Sequence, residues 1–137
     1  MAVRLALDTN AYTDFCRGRQ LLTERLEIAE TVYLPLMVIA ELRAGFAVGT
    51  QGPKNERTLQ RFQLQPGVEI LAPDEQTTFQ YAAVYRQLRK QGTPIPTHDM
   101  WIAALVLQHG LTLMHRDRHF THLPQLATIE LGKAQRP

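Results

Sequence analysis

The stretch Thr93–Ala104, with the sequence TPIPTHDMWIAA, decides how the rest of the chain can fold. Pro94 and Pro96 keep the backbone extended, because proline fixes φ and disfavours the helical conformation in the residue before it. A helix is therefore predicted to begin after them, with the Thr97 hydroxyl as its N-cap. Asp99 then lies in the first turn, where the helix dipole favours a negative charge.

The residues that follow, 100–107, are all apolar. A helix with this pattern has no solvated face, so other elements must cover it on all sides. Asp99 therefore stands at the mouth of a buried helix. An acid in such a position usually caps the helix or complements its dipole, unless other acids occupy equally costly places.

Length and composition set the outer limits. The 137 residues are enough for one domain, predicted at 1–131 and followed by a tail at 132–137. Cys16 is the single cysteine, which excludes an intrachain disulfide and favours a reducing compartment, the cytoplasm. No apolar run reaches the roughly 18 residues of a transmembrane helix, so no membrane partner is expected. The net charge of +2 permits a polyanionic partner without arguing for one.

Short apolar runs alternate with helical patterns along the chain. The predicted strands are Val3–Leu7, Thr31–Leu34, Val68–Leu71, Leu111–Met114 and, at an edge, Ala127–Glu130. Short apolar strands that alternate with helices are typical of a parallel sheet covered on both faces. The sequence therefore predicts an α/β fold, a three-layer α/β/α sandwich with a mainly parallel sheet.

Two segments between the strands carry further predictions. Asp74 is expected to open a long helix that ends near Gln91. Its expected packing side is Phe79, Ala82, Ala83, Tyr85 and Leu88. The polar stretch 50–55, which contains Gly52-Pro53, is predicted to be a loop and the most flexible point of the chain.

Four carboxylates stand out by their positions. Asp8 ends the first strand, Asp117 lies just beyond the fourth, and Asp99 begins the buried helix. Open α/β sheets bind ligands outside the carboxyl ends of their strands, so these three acids are expected at one edge. Glu41 lies about two turns into the helix that follows the second strand, and its side chain must lean inward to join them.

Four converging carboxylates would need neutralisation. Two carboxylates about 5 Å apart repel by roughly 3 kcal/mol at an effective dielectric constant near 20. Protonation, arginine pairing or a divalent cation could relieve this repulsion. Oxygen ligands suit Mg²⁺ or Mn²⁺, whereas zinc would require nitrogen or sulfur ligands. From the spacing alone, metal-dependent phosphodiester chemistry and purely structural acids remain equally open.

Four segments, taken in order, add a resemblance to a known family. They are Asp8-Thr9-Asn10, Glu41–Gly45, Ile95–Ala104 and Leu113–Phe120. Together they resemble the four acidic motifs of the PIN-domain ribonucleases, in particular the VapC-like toxins of VapBC toxin–antitoxin pairs, over nearly the whole chain. The resemblance implies a five-stranded parallel sheet, a Mg²⁺ or Mn²⁺ site and endonucleolytic cleavage of RNA. It also implies a homodimer that a small VapB-like antitoxin neutralises.

Carried over by position, the resemblance implies that Asp8, Glu41, Asp99 and Asp117 are the catalytic, metal-binding acids. Asn10 would be a polar neighbour in the site. On this basis the sequence predicts hydrolysis of RNA by metal-activated water, without a covalent enzyme intermediate.

Cations and histidines around the last acid are the remaining candidates. Arg116 and Arg118 flank Asp117 and are predicted to contact RNA phosphates, since guanidinium matches phosphate geometry. His115 stands where the family commonly has Thr or Ser, and it is a candidate substitute hydrogen-bond donor to the substrate. A separate zinc site built from His115, His119 and His122 is disfavoured, because no cysteine accompanies them.

Two other functions and a purely structural role compete with the nuclease. A phosphatase with an aspartyl nucleophile would want a second Asp two residues after Asp8, where this chain has Asn10. A PIN-like module that binds RNA or an antitoxin with weak or no catalysis remains an alternative, as does a structural domain with unremarkable acids.

Overall fold

A parallel sheet organises the structure, a computed structural model that describes residues 2–132. The strands are β1 (Arg4–Leu7), β2 (Thr31–Pro35), β3 (Val68–Leu71), β4 (Thr112–His115) and β5 (Ala127–Glu130). The helices are α1 (Thr9–Cys16), α2 (Gln20–Ile28), α3 (Leu36–Val48), α4 (Gly52–Gln63), α5 (Glu75–Gln91) and α6 (Thr97–His109), and a 3-10 helix spans Arg118–His122. The predicted fold class is confirmed. The predicted tail lies outside the described residues, except for Gly132.

The order of the five strands creates a switch point beside β1. All four neighbouring pairs are parallel, in the order β3-β2-β1-β4-β5. The chain runs outward from β1 through β2 to β3 and then returns to build β4 and β5 on the other side. Leu7 lies opposite Met114, so β1 and β4 end together. Parallel α/β sheets form their ligand crevice at such a reversal, outside the carboxyl ends of the strands.

The core lies around β1, β4 and α6, as the sequence predicts for the apolar helix. Residues 102–106 of α6 are fully buried, and so are the inner strand residues Leu5 and Leu113. A central strand buried on both faces and a helix without a solvated side hold each other in place through apolar burial. No helix in residues 2–132 is both long enough and apolar enough to span a membrane.

The predicted Thr97 cap is wrong. Pro96 is the N-cap of α6, no side chain caps this helix, and the Pro96 carbonyl accepts the Met100 N–H at 3.1 Å. Pro96 has φ −57° and ψ 146°, so the chain stays extended up to the proline itself and Thr97 is already the first helical residue. Asp99 still falls in the first turn, as predicted.

The predicted packing side of α5 is also largely wrong. The buried residues of this helix are Thr77, Val84 and Leu88, whereas Phe79 is 66% exposed and Tyr85 is exposed. Ala82 and Ala83 are exposed as well, so only Leu88 was placed correctly. The true face contains polar Thr77, because its hydroxyl is used in a capping box with Asp74. Val84 and Leu88 on the same face are apolar and four residues apart, a helical spacing that the prediction did not use.

The predicted loop at 50–55 is wrong because α4 begins at Gly52. Pro53 lies in the first turn, where proline's missing N–H costs nothing. The backbone passes closely at this point: a Cβ on Gly52 would lie 2.7 Å from the Phe46 carbonyl oxygen. The connection between α3 and α4 is therefore only residues 49–51. The strand predicted at Leu111–Met114 begins and ends one residue later, as β4.

Candidate metal centre

Asp8 is fixed immediately after β1 by backbone contacts. Its amide donates to the Met114 carbonyl at 3.2 Å, and its Oδ1 accepts the Ala11 N–H at 2.7 Å as the N-cap of α1. Burial raises the pKa of the Asp8 carboxyl to about 7, although N–H groups of Ala11 and Arg116 oppose this shift. Among residues 2–132, no salt bridge reaches Asp8.

Asp99, Asp117 and His119 form a compact group beside Asp8. Asp99 comes from the first turn of α6, and Asp117 from the segment after β4. His119 Nδ1 lies 2.9 Å from Asp99 Oδ2 and 2.8 Å from Asp117 Oδ1. One ligand atom from each of the three residues lies within 4.8 Å of the other two. An N–H on Nδ1 can therefore bridge the two carboxylates.

The pKa values of this group move in opposite directions. Burial and a hydrogen bond with Asp117 together raise the pKa of Asp99 to about 6, against the lowering effect of His119. Burial also acts to raise the pKa of Asp117, but contacts with the His119 amide and Asp99 outweigh it, so the pKa is lowered. Burial lowers the pKa of His119, yet the two acids raise it overall. A proton shared by the two carboxyl groups therefore stays on the more deeply buried Asp99.

The donor set fits a hard divalent cation. Asp99 and Asp117 each add to the rise in the pKa of Asp8, so the three acids repel one another and lack a full countercharge. Carboxylate oxygens are ligands that Mg²⁺ and Mn²⁺ prefer. The His119 imidazole lies where a positive charge would be most favourable, between two of the three acids. Asp99 and Asp117 are the acids of the 4.8 Å group that could hold such a cation, and Asp8, which lies outside that group, is close enough to feel their charges.

Glu41 lies at the rim and not in this cluster. Its side chain is 50% exposed, and its Oε2 is 2.7 Å from His98 Nε2. His98 precedes Asp99 in the first turn of α6, so Glu41 is tied to the mouth of that helix. The inward lean that the sequence led us to expect is not observed, because His98 offers Glu41 a partner outside the cluster.

Asn10 and Arg116 interact with each other. Arg116 Nη2 lies 3.3 Å from Asn10 Oδ1 and 3.3 Å from Asp14 Oδ1. The guanidinium is thus turned into the protein, which argues against the predicted contact between Arg116 and RNA phosphates. Arg118 is exposed, and no salt bridge involves it in the described part of the chain.

His115 is buried, with 1% of its surface exposed. Its Nδ1 accepts the Asp117 N–H at 3.2 Å, and the edge of its ring packs on Phe120 with centroids 5.0 Å apart. The predicted donor role toward substrate does not fit this burial: the observed contact makes His115 an acceptor that shapes the turn before Asp117. A Ser or Thr oxygen can accept an N–H two residues ahead in the same way.

Two residues of this region were not found from the sequence. The sequence offers His119 only as a member of a disfavoured zinc set, although it lies two residues after Asp117. Asp14 is 2% exposed and lies between Arg19 Nη1, at 2.9 Å, and Arg116. The sequence feature that could have indicated Asp14 is its position four residues after Asn10, because this spacing puts both residues on one face of α1. A zinc set of three histidines is not assembled in residues 2–132.

Fold and site together define an α/β/α domain with a carboxylate centre at the switch point of a parallel sheet. A family model described as the PIN domain matches residues 5–126. The chain therefore belongs to the PIN-domain family, which confirms the resemblance seen in the four acidic motifs.

Individual relatives and a solved structure agree with this assignment. Toxin FitB of Neisseria gonorrhoeae is 33% identical over 123 residues, covering 82% of this chain and 87% of FitB. Ribonuclease VapC4 of Mycobacterium tuberculosis is 27% identical over 96 residues, covering 70% and 74%. The fold matches VapBC2 from Rickettsia felis, solved bound to a DNA fragment from their promoter, with a TM-score of 0.83. That match has 23% identity and covers 93% of this chain and 98% of the other.

Proposed function

We propose that this protein is a metal-dependent endoribonuclease and the toxin of a toxin–antitoxin pair. The observation that carries the proposal is the convergence of Asp8, Asp99 and Asp117 at the switch point, with the first two held at raised pKa by burial. Relatives that are named as a ribonuclease and as a toxin support it. Buried acids without a full countercharge cost stability, and such costs are typical of functional sites.

The three acids would hold Mg²⁺ or Mn²⁺, with Glu41 as a further ligand once it leaves His98. A bound cation of this kind lowers the pKa of a water molecule and neutralises charge on a phosphodiester. The α6 dipole favours the charged form of Asp99, and the α1 N-cap fixes the direction of Asp8. His119 holds Asp99 and Asp117 together and must give up at least one of these contacts when a cation binds.

Cation binding is coupled to proton release, because the acids bind the metal in their charged form. The pKa of about 7 for Asp8 and of about 6 for Asp99 means that both carry protons part of the time near neutral pH. Arg118, which is exposed beside Asp117, is the cation we propose to contact RNA phosphates.

The proposed partners are an RNA substrate, a small VapB-like antitoxin and a second copy of the chain. The antitoxin follows from the toxin relatives. For the second copy, α5 offers exposed apolar surface at Phe79 and Tyr85. The cytoplasm is the proposed location, because the single cysteine fits a reducing compartment.

The test is cleavage of total RNA by purified, antitoxin-free protein in Mg²⁺ or Mn²⁺, with chelator as a parallel arm. Asp99→Asn should lower the cleavage rate at least about 100-fold, since even residues that only support a metal site cost up to that much. Asp74→Asn is the matched control: it makes the same change at another helix start, and Asn also caps helices well. It should cut RNA at the wild-type rate.

Three outcomes contradict the proposal. Equal cutting in chelator would exclude the metal, and equal cutting by folded Asp99→Asn would exclude this site. If the wild-type protein binds RNA without cutting it in either metal, the alternative of a catalytically weak RNA- or antitoxin-binding module takes its place.

A further inference from the structure

Asp14, a third buried carboxylate besides Asp8 and Asp99, lies outside the proposed metal centre and is paired on both oxygens. Its Oδ2 is 2.9 Å from Arg19 Nη1, and its Oδ1 is 3.3 Å from Arg116 Nη2. Arg19 also donates from its backbone N–H to the Asp14 carbonyl at 3.0 Å and from Nη2 to the Leu131 carbonyl. Asp14 is therefore held from one side by Arg19, which leaves the other carboxylate oxygen for Arg116.

Arg116 belongs to both regions. Its backbone N–H contacts the Asp8 carboxylate, and the next residue along the chain is Asp117. Its side chain, by contrast, points to Asp14 and Asn10, which share one face of α1. The main chain of Arg116 thus lines the metal centre, while its charge is directed away from it.

That separation has an electrostatic consequence. A guanidinium is always charged and matches a carboxylate with two parallel hydrogen bonds. Asp8 and Asp117 lack a full countercharge. Arg116 lies next to both, since its backbone contacts Asp8 and Asp117 follows it in the chain. If Arg116 were released from Asp14, its guanidinium would pair with Asp8 and Asp117. It would then neutralise the negative charge that a divalent cation needs for binding.

We propose that Asp14 is a positioning residue that holds the Arg116 guanidinium away from Asp8 and Asp117 and so keeps the metal centre open to a cation. The inference rests on the proposed function in one respect, that these acids bind a divalent metal. Asp14 itself touches neither the substrate nor the cation.

The test measures Mn²⁺ affinity by titration calorimetry on full-length protein, without RNA. Asp14→Asn should weaken Mn²⁺ binding about 10-fold, the lower end of what supporting residues contribute to metal affinity. Adding Arg116→Gln to Asp14→Asn should restore affinity to within about 3-fold of the wild type, because the competing cation is gone. A purely structural role of Asp14 predicts no such rescue.

Two controls separate competition from net charge. Asp14→Asn combined with Arg118→Gln has the same net charge as the rescuing double variant but leaves Arg116 in place, so it should stay weak. Glu56→Gln frees Arg43 from a two-bond pair on the surface, at 2.8 and 3.3 Å, and should leave Mn²⁺ affinity unchanged.

Circular dichroism melts establish that each variant is folded at the titration temperature. If Asp14→Asn alone does not fold, the Mn²⁺ affinity of the single variant Arg116→Gln tests the inference instead. Its Mn²⁺ affinity should equal or exceed that of the wild type, and a loss of about 10-fold or more would overturn the inference.

Unchanged Mn²⁺ affinity in folded Asp14→Asn would also overturn the inference, as would equal rescue by both double variants. These results leave the proposed function standing. Failure of the wild-type protein to bind Mn²⁺ at all would instead remove the proposed function.

Discussion

Asp8 and Asp14 are both buried, Asp8 as the N-cap of α1 and Asp14 in its last turn, yet their surroundings are opposite. Asp14 has two arginines within 3.3 Å, one on each carboxylate oxygen. Asp8 contacts backbone N–H groups, and its charged neighbours are two further acids. Burial raises the pKa of Asp8 to about 7. Burying a carboxylate costs free energy unless it is paired. Two arginines offset that cost at Asp14, whereas no cationic side chain among the described residues offsets it at Asp8.

The difference separates an acid that is neutralised within the fold from acids that are not. Asp14 ties α1 to the segment after β4 and, through Arg19, to the Leu131 carbonyl after β5. Among residues 2–132, Asp8 has no salt bridge, and Asp99 and Asp117 share the single imidazole of His119. Removing a charge should therefore have opposite effects on stability at the two places.

The largest expected effect is at Asp14. Asp14→Ala should lower the free energy of unfolding by about 3 kcal/mol, because it breaks two largely buried ion pairs at once. Urea unfolding monitored by circular dichroism measures this. The control is Glu24→Ala on the exposed side of α2, expected within about 0.5 kcal/mol of the wild type. A loss below about 1 kcal/mol at Asp14 would mean that these two ion pairs contribute no more than exposed pairs do.

The opposite sign is expected at Asp8 in metal-free protein. Asp8→Asn should raise the free energy of unfolding at pH 7.5 by about 2 kcal/mol, because it removes a buried like charge and keeps an N-cap. Asp8→Ala should gain about 1 kcal/mol less, since the cap to Ala11 is lost. A marked destabilisation by Asp8→Asn would assign Asp8 a structural role instead.

The stability gained by Asp8→Asn should depend on pH. Folding raises the pKa of Asp8 from its ordinary 3.8 to about 7, so between these values the folded state binds more protons than the unfolded state. The contribution of Asp8 to the free energy of unfolding is therefore fully present at low pH and is lost as the pH rises through 7. The advantage of Asp8→Asn should grow from pH 5 to pH 8 in urea titrations. An advantage that is constant with pH would contradict the raised pKa.

The smallest effect is expected at the rim. His98→Ala should change the free energy of unfolding by less than about 0.5 kcal/mol, because the pair with Glu41 is solvent-exposed. It should at the same time tighten Mn²⁺ binding measured by calorimetry, since Glu41 becomes free to join the acids. Weaker binding in this variant would show that His98 supports the centre.

Particular residues show why the sequence could predict much of this fold. The buried helix was visible because residues 100–107 are all apolar, and β3 and β5 were predicted with the observed bounds. Chain order and strand ends were enough to bring Asp8, Asp99 and Asp117 to one edge. These features depend on local periodicity and on the geometry of parallel sheets.

The errors at the site concern residues whose partners are polar and distant in sequence. The inward direction of Arg116 depends on Asp14, 102 residues earlier in the chain. Periodicity contains no information about such contacts.

By itself, the sequence determined the parallel α/β/α architecture, the buried α6 helix and the edge at which three acids meet, because apolar patterning and strand order fix these. Only the tertiary structure decided which charges are neutralised. It turned Glu41 to His98, buried His115 beneath the turn of Asp117, and paired Arg116 with Asp14 in place of the metal-centre acids. The physical reason is that neutralising a charge depends on distances of a few ångströms between side chains that only the folded chain brings together.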